Sequence, residues 1–271
     1  MSEQDCLIGQ GDGVPFKAVV VAGGSGARMK KTLPKQFWKF SGKTILEWSI
    51  DKFNESEKCD RIVIVLPEQW REKGKKVLSR YDFKKDVVFA LGGARREDSV
   101  LSALECLENN DLVAIHDAAR PFLSEKLLTR LYENAKKKGS AVPVITARDT
   151  VIYKKIKKKS PQTETIIQTL IQNVSYTVNR TKITYLDRNN LYMIQTPQFF
   201  NVGILTESIR KAKEAFSADS TFVPTDDSGM VKNAGFQVSY IRGSTDNLKL
   251  TYPKDLAFFR FFAESLAGKK K

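Results

Sequence analysis

The sequence has few cysteines, one histidine and no long apolar run, and these deficits exclude several classes of protein. No run approaches the roughly 18 apolar residues that cross a membrane, so we expect no membrane partner. The opening residues, MSEQDCLIGQGDG, are polar and acidic, unlike a secretory signal. The three cysteines are scattered without metal-ligand spacing: Cys6, Cys59 and Cys106. This usage indicates a reducing compartment and no structural zinc, and we expect a cytoplasmic protein.

Positive charge, in contrast, is abundant. The chain of 271 residues carries 45 Lys and Arg against 31 Asp and Glu, a net charge of +14. Such an excess is typical of proteins that bind nucleic acid, an anionic membrane surface or small, highly phosphorylated substrates. Part of it lies in lysine runs at 136–138, 154–155, 157–159 and 269–271, which are typical of solvated faces or tails. No segment resembles a zinc finger or an RNP motif, and charge alone does not decide between these partners.

Short apolar segments alternate with helical spacing along the first half. Strands are predicted at 16–22, 61–66, 87–91, 112–116 and 141–145, with helices around 45–53, 100–107 and 127–135. Strands that are apolar throughout and separated by helices predict an α/β fold, a mostly parallel sheet covered by helices on both faces. In such sheets ligands bind outside the carboxyl ends of the strands, so the loops there are the candidate sites.

The pattern changes at 153–186, which is β-branched, polar and basic. It predicts a projecting hairpin or arm, or a flexible insert. A helix near 202–216, a strand near 236–241 and a closing helix from Pro253 follow. We therefore expect a tail at 1–15, one domain at 16–265 that includes an arm at about 151–187, and a basic tail at 266–271.

A glycine-rich loop follows the first predicted strand, with the sequence AGGSGARM at 22–29 and LPKQF at 33–37. Glycines let backbone N–H groups approach phosphate oxygens. Met29 stands where a dinucleotide fingerprint needs its third glycine, and no Gly-Lys-Ser/Thr follows the first glycine of this loop at the spacing of a Walker A motif. Arg28 and Lys35, seven positions apart, favour a phosphate site over a tight turn with two solvated cations.

Further motifs follow in order: GGARREDSV (92–100), HDAARPF (116–122), RDT (148–150), DRNNLY (187–192), QTPQFF (195–200), TDD (225–227) and DNLKLTYPKDL (246–256). With the glycine loop they resemble the 2-C-methyl-D-erythritol 4-phosphate cytidylyltransferase family and its relatives, the ribitol-5-phosphate cytidylyltransferases, over about 16–262. The resemblance implies a Rossmann-like nucleotidyltransferase fold with a projecting β-arm. It also implies CMP transfer from CTP to a polyol phosphate, Mg²⁺, and a homodimer formed through the arm. HDAARPF, TDD and DNLK favour methylerythritol phosphate, whereas the Ala-Gly-Gly opening and LPKQF are common on the ribitol side.

The chemistry agrees with this resemblance. A phosphate monoester has its second pKa near 6, so the nucleophile is already ionised at neutral pH and needs no general base. The reaction instead needs two polyanions aligned and positive charge on the α-phosphoryl group. Arg, Lys and Mg²⁺ meet that need. A non-catalytic nucleic-acid-binding protein is the alternative from another class, and it gives no reason for Arg28 and Lys35 to share a glycine loop.

The resemblance also implies roles for individual residues. By this resemblance the catalytic residues would be Arg28, Lys35, Arg188 and Lys249. The nucleotide would be bound by Ala22, Gly23, Gly24, Gly26, Gly93, Arg96 and Ser99. The acceptor would be bound by Asp117, Arg120, Thr150, Thr196 and Thr225, with Arg188 and Thr150 reaching across the dimer interface. Metal contacts would come from Asp117 and Asp246.

Several of these residues have a second interpretation. Gly92 and Gly93 also suit a strand-to-helix turn, and Ala94 stands where many family members carry an acidic residue. Arg120 can contact the acceptor phosphate or pair with a neighbouring carboxylate, and Asp246 can contact metal or cap a turn. His116 is expected to be a packing residue rather than a base.

Overall fold

A computed structural model of the protein describes residues 14–23, 33–155, 182–218 and 226–268. It divides into two compact units, Met1–Ile145 with Ile194–Lys271 and Thr146–Met193. Four predicted site residues lie outside the described residues: Gly24, Gly26, Arg28 and Thr225. So do 1–13 of the predicted first tail and 269–271 of the last. None of the helices in the described ranges has the length and apolar content that a bilayer crossing requires.

The described part of the chain alternates between strands and helices. The strands are β1 (Phe16–Val21), β2 (Lys39–Phe40), β3 (Lys43–Thr44), β4 (Cys59–Leu66), β5 (Asp86–Leu91), β6 (Leu112–Asp117), β7 (Ser140–Thr146), β8 (Val151–Lys155), β9 (Lys182–Leu186), β10 (Tyr192–Ile194), β11 (Gln198–Asn201) and β12 (Tyr240–Arg242). The helices are α1 (Ile45–Glu55), α2 (Glu68–Leu78), α3 (Arg96–Leu104), α4 (Glu125–Lys138), α5 (Val202–Ala218), α6 (Asp227–Asn233) and α7 (Asp255–Gly268).

The first unit is built on a mostly parallel sheet, which confirms the predicted fold class. Its order is β7-β11-β6-β1-β4-β5, with β12 paired to β7. Strand β1 runs parallel to both β4 and β6, and β5 runs parallel to β4. Strand β11 is antiparallel to β6 and β7, a reversal that the sequence pattern does not predict. The carboxyl ends of β1, β4, β5 and β6 therefore meet at one edge.

Both faces of this sheet are buried under helices, and β1 shows the arrangement. Ala18 and Val20 belong to the apolar cluster that contains residues of α1 and α4. Val19, which points the other way, belongs to the cluster of α3, α5 and α6. A third cluster packs Phe259 of α7 against Phe40 and Phe122. This two-sided burial explains why the strands are apolar at nearly every position.

The helices begin and end where local signals place them. Thr44 and Glu47 form a capping box at the start of α1. Ser124 caps α4, and Gly139 ends it in the left-handed region at a φ of 74°. Helix α3 ends at Leu104, short of the predicted 107. The strand expected near 236–241 has only three residues, Tyr240–Arg242, and so begins four residues later than predicted.

The second unit contains an antiparallel pair, β8 and β9, in which Val151 pairs with Leu186 and Lys155 with Lys182. The two strands form the ends of the predicted hairpin, while 156–181 lie outside the described residues. Residues Arg188–Asn190 form a short 3-10 turn capped by the Asp187 side chain, which accepts from the Asn189 amide at 3.0 Å.

Candidate active site

Asp117 marks the carboxyl end of β6, at the edge where ligands bind in this class of sheet. It lies in register with Val21, the last residue of β1. The loop after β1 therefore begins beside Asp117. Ala22 is buried there, and its amide donates to the Val65 carbonyl at 3.0 Å, so the start of this loop is held against β4.

Gly92 and Gly93 form a tight turn between β5 and α3. The Gly92 amide donates to the Leu66 carbonyl at 2.8 Å, and a Cβ there would approach the backbone of residues 66–67 to 3.2 Å. A Cβ on Gly93 would lie 2.3 Å from the Cβ of Asp98, closer than real contacts allow. Gly93 therefore needs glycine for steric reasons, whereas a Cβ on Gly92 would require the neighbouring backbone to shift by a few tenths of an ångström.

Ser99 joins this turn to the loop after β1. Its hydroxyl accepts from the Gly93 amide at 3.0 Å and donates to the Arg95 carbonyl at 3.0 Å. A Cβ on Gly23 would lie 3.4 Å from the same hydroxyl oxygen. The structure thus brings together three of the residues predicted to bind the nucleotide. Their role in binding stays a prediction.

Four charged side chains form a continuous row at the same edge. Asp227 accepts from Nη1 and Nη2 of Arg96, both at 2.7 Å. Nε of Arg96 lies 3.5 Å from Oδ1 of Asp117, whose Oδ2 accepts from Lys249 Nζ at 2.6 Å. Burial alone would raise the pKa of the Asp117 carboxyl, but the positive charges of Arg96 and Lys249 outweigh it and hold that pKa well below its usual range. Asp117 is therefore ionised at neutral pH.

Lys35 lies next to the loop that carries Lys249. Its Nζ donates to the Leu250 carbonyl at 2.7 Å. The neighbouring Gln36 is buried and donates to the Ala22 carbonyl at 2.8 Å, which ties this segment to the end of β1. Lys35 and Lys249, 214 positions apart in sequence, thus belong to one edge of the fold.

His116 is an internal hydrogen-bonding residue, as the sequence led us to expect. It is fully buried, with Nε2 at 3.0 Å from the Arg120 carbonyl and Nδ1 at 3.2 Å from the Thr196 hydroxyl. The carbonyl can only accept, which assigns the proton to Nε2 and makes Nδ1 the acceptor from Thr196. The Thr196 hydroxyl in turn accepts from the Asp117 amide at 3.1 Å. Burial lowers the pKa of His116 to about 4, so it is neutral at physiological pH.

Arg120 and Asn247 join the loop after β6 to the loop that carries Lys249. Arg120 is buried and donates through Nη1 to the Asn247 carbonyl at 2.8 Å. Asn247, fully buried, donates through Nδ2 to the Thr196 carbonyl at 2.8 Å. The guanidinium of Arg120 therefore contacts backbone carbonyls, and its contact with acceptor phosphate stays a prediction.

The remaining predicted residues lie in solvent-exposed positions. Asp246 is exposed in a turn in which its amide donates to the Ser244 hydroxyl at 3.2 Å. In the second unit, Thr150 and Arg188 are exposed, and Arg188 donates to the Arg148 carbonyl at 3.4 Å. Over the described ranges no group of three or more His, Cys, Asp or Glu is placed to hold a metal ion.

Sequence reasoning missed Asp226 and Asp227. Both lie in the TDD motif, from which only Thr225 was assigned a role. Asp227 is fully buried, and an acidic pair directly before an apolar helical segment is the available sequence signal. Burial of one of these carboxylates requires a cationic partner from another element.

The fold with this site is the Rossmann-like α/β fold of nucleotidyltransferases. A solved structure, 4-diphosphocytidyl-2C-methyl-D-erythritol synthase from Anaerococcus prevotii, matches with a TM-score of 0.71 and 25% identity, over 95% of this chain and 98% of that one. A family model described as IspD, 2-C-methyl-D-erythritol 4-phosphate cytidylyltransferase, matches residues 16–265.

Curated relatives agree with that match. The 2-C-methyl-D-erythritol 4-phosphate cytidylyltransferase of Clostridium beijerinckii is 33% identical over 92% of this chain and 98% of its own length. The enzyme of the same name from Geobacillus thermodenitrificans is 32% identical over 90% of this chain and 94% of its own. The chain belongs to the 2-C-methyl-D-erythritol 4-phosphate cytidylyltransferase family.

Proposed function

We propose that this protein transfers CMP from CTP to 2-C-methyl-D-erythritol 4-phosphate and releases pyrophosphate, a step of non-mevalonate isoprenoid synthesis in the cytoplasm. The observation that carries the proposal is the grouping of cations with Asp117 at the carboxyl edge of the sheet. Lys249 contacts Asp117 at 2.6 Å, and Lys35 contacts the backbone of the next residue, Leu250, at 2.7 Å. Family membership over residues 16–265 supports the choice of substrates.

The site is suited to a reaction without a general base. The acceptor phosphate has its second pKa near 6 and attacks the α-phosphorus of CTP as an anion. His116 is neutral and fully buried, with both nitrogens engaged in internal hydrogen bonds, so it is not the base of this mechanism. Catalysis consists of alignment and of positive charge placed where negative charge develops.

Each residue of the site has a role that follows from its position. Lys35, with Arg28, would stabilise the crowded α-phosphoryl group and the leaving pyrophosphate. The backbone at Ala22, Gly23 and Gly93 would cradle the nucleotide, since glycine leaves its N–H groups accessible. Lys249, whose side chain is 43% exposed while it contacts Asp117, would bind the incoming phosphate.

We further propose that the reaction uses Mg²⁺ with Asp117 as its protein ligand. Mg²⁺ is commonly held by one or two carboxylates together with substrate phosphates. Asp117 suits this role because its carboxylate is ionised at the edge of the sheet. When bound, the ion would neutralise charge on the CTP phosphates.

We also infer a homodimer in which the hairpin of one subunit completes the site of the other through Arg188 and Thr150. Both side chains are exposed, as a role toward a second subunit requires. Mixing the inactive variants Arg188→Ala and Lys35→Ala tests this inference. Subunit exchange should regenerate one intact site in each mixed dimer and restore activity, whereas activity no greater than the sum of the two variants would contradict it.

The proposed reaction is tested by pyrophosphate release from CTP and Mg²⁺, with methylerythritol phosphate and ribitol 5-phosphate supplied separately. Turnover with the first acceptor alone is expected. Turnover with ribitol 5-phosphate alone would support CMP transfer but would show that the acceptor is ribitol 5-phosphate. No release with either acceptor would refute the proposal.

A further inference from the structure

Asp227 is a fully buried carboxylate to which the reaction proposed above gives no task. It is the first residue of α6, and both its oxygens accept from Arg96 at 2.7 Å. An isolated buried carboxylate is very costly, and a bidentate guanidinium is the partner that best compensates it. The pair therefore has one well-defined geometry.

The same guanidinium extends to the candidate active site. Because it is planar, fixing Nη1 and Nη2 on Asp227 also fixes the direction of Nε. Nε lies 3.5 Å from Oδ1 of Asp117, and Lys249 Nζ lies 2.6 Å from the other oxygen, Oδ2. Asp117 is thus held between two cations, Arg96, whose side chain is 30% exposed, and Lys249, whose side chain is 43% exposed.

The start of α6 is anchored to the sheet that carries Asp117. Asp226 caps this helix and accepts from Nε2 of Gln198, in β11, at 3.1 Å. Oε1 of Gln198 accepts from the Ser228 amide at 2.9 Å. Strand β11 pairs with β6, which ends at Asp117, so the same pair of strands supports both Asp227 and Asp117. Support of this kind holds functional groups in place to a fraction of an ångström.

We propose that Arg96 and Asp227 are positioning residues, which orient the Asp117 carboxylate and, through it, Lys249 toward the acceptor. This inference rests on the proposed function for the identity of the acceptor. It also changes the expectation for Arg96, which the family resemblance assigned to nucleotide binding. All three of its guanidinium nitrogens face carboxylates instead.

The first test is Asp227→Asn, which keeps the shape and removes the charge. We expect kcat/KM for methylerythritol phosphate to fall about 10- to 100-fold, the usual effect of removing a group that supports a site. The KM for CTP should stay close to the wild-type value. Asp51→Asn is the matched control, since Asp51 is a mostly buried carboxylate of α1 paired with Lys43 at 2.7 Å. It should lower stability and leave the acceptor kinetics unchanged.

A second variant separates the loss of positioning from a loss of folding. Asp227→Asn leaves Arg96 without its counter-charge, whereas Arg96→Met with Asp227→Leu removes both charges, a replacement that buried ion pairs often tolerate. This double variant should fold and show the same loss with the acceptor. Wild-type acceptor kinetics in the folded double variant would overturn the proposal, and so would a raised KM for CTP with an unchanged KM for the acceptor.

Crystal structures of the wild type and the double variant supply a readout that does not depend on turnover. We expect the Asp117 carboxylate to move by about 1 Å, a displacement large enough to affect catalysis, and to lose its contact with Lys249. A carboxylate that stays in place would overturn the positioning role even if the protein turned over neither acceptor. Absence of wild-type turnover, by contrast, would refute only the proposed function.

Discussion

Thr196→Val tests the hydrogen bonds that connect the His116 ring, the Thr196 hydroxyl and the Asp117 amide. Thr196 is 5% exposed, and its hydroxyl both donates to Nδ1 of His116 and accepts from the Asp117 amide. Valine has nearly the same shape but neither donates nor accepts. The substitution therefore leaves one buried acceptor and one backbone donor without a partner.

The size of the effect follows from those two groups. Each buried polar group left unsatisfied costs about 1 to 3 kcal/mol. Burial of the added methyl group returns about 0.8 kcal/mol. We expect Thr196→Val to lower the free energy of unfolding by about 1 to 5 kcal/mol.

Urea unfolding at pH 7.5 measures this loss against Thr129→Val, the same substitution at an exposed position of α4. That control should change stability by less than about 0.5 kcal/mol. A loss equally small for Thr196→Val would show that the hydroxyl does not bridge His116 and Asp117. If stability were kept and the KM for the acceptor rose, the hydroxyl would bind substrate, as the family resemblance implies.

Three further predictions use other parts of the fold. His116 has a pKa of about 4 when folded against 6.5 unfolded, so the unfolded chain binds more protons between these values and stability falls as pH drops through this window. Urea unfolding should show a loss of about 2 kcal/mol between pH 7.5 and pH 5, and His116→Asn, which leaves no histidine, should abolish that dependence. Gly93→Ala, which creates a 2.3 Å approach to Asp98, should weaken CTP binding in calorimetry; Gly74→Ala, whose 2.3 Å contact is the flexible end of Leu66, should not. Lys35→Ala should lower kcat far more than CTP affinity, with Lys39→Ala as the exposed control; weaker CTP binding with unchanged kcat would make Lys35 a ground-state contact.

The strands predicted at 16–22, 61–66, 87–91, 112–116 and 141–145 and the helices predicted around 45–53 and 127–135 are confirmed, because their signals are local. Strand β4 is apolar along its length since both its faces are covered, and Thr44 with Glu47 marks the start of α1 within four residues. Helix α2 was not predicted from the sequence, because only Gly74 and Leu78 of this helix are buried. The segment is highly charged and shows little apolar periodicity. Strand β11 has four residues, too few to show a periodic apolar pattern. Its antiparallel direction depends on the strands beside it and cannot be predicted from its own residues.

The candidate site divides in the same way. Gly93 is recognisable because a glycine pair at a strand-to-helix turn carries its own steric signal. The glycine loop with Lys35, and the order of motifs along the chain, were sufficient to suggest the family. Asp227 carried no comparable signal, since its importance depends on burial against Arg96, 131 positions away.

The sequence by itself therefore determined the alternation of strands and helices, the excess of positive charge and the family. These properties depend on neighbouring residues or on residue identity alone. Only the tertiary structure decided that Asp117 contacts Lys249, 132 positions away, and that the Arg96 guanidinium faces two carboxylates. The physical reason is that the partner of a charged side chain depends on which strand ends and helix starts lie together at one edge of the sheet. The spacing of residues along the chain does not determine which of them lie together.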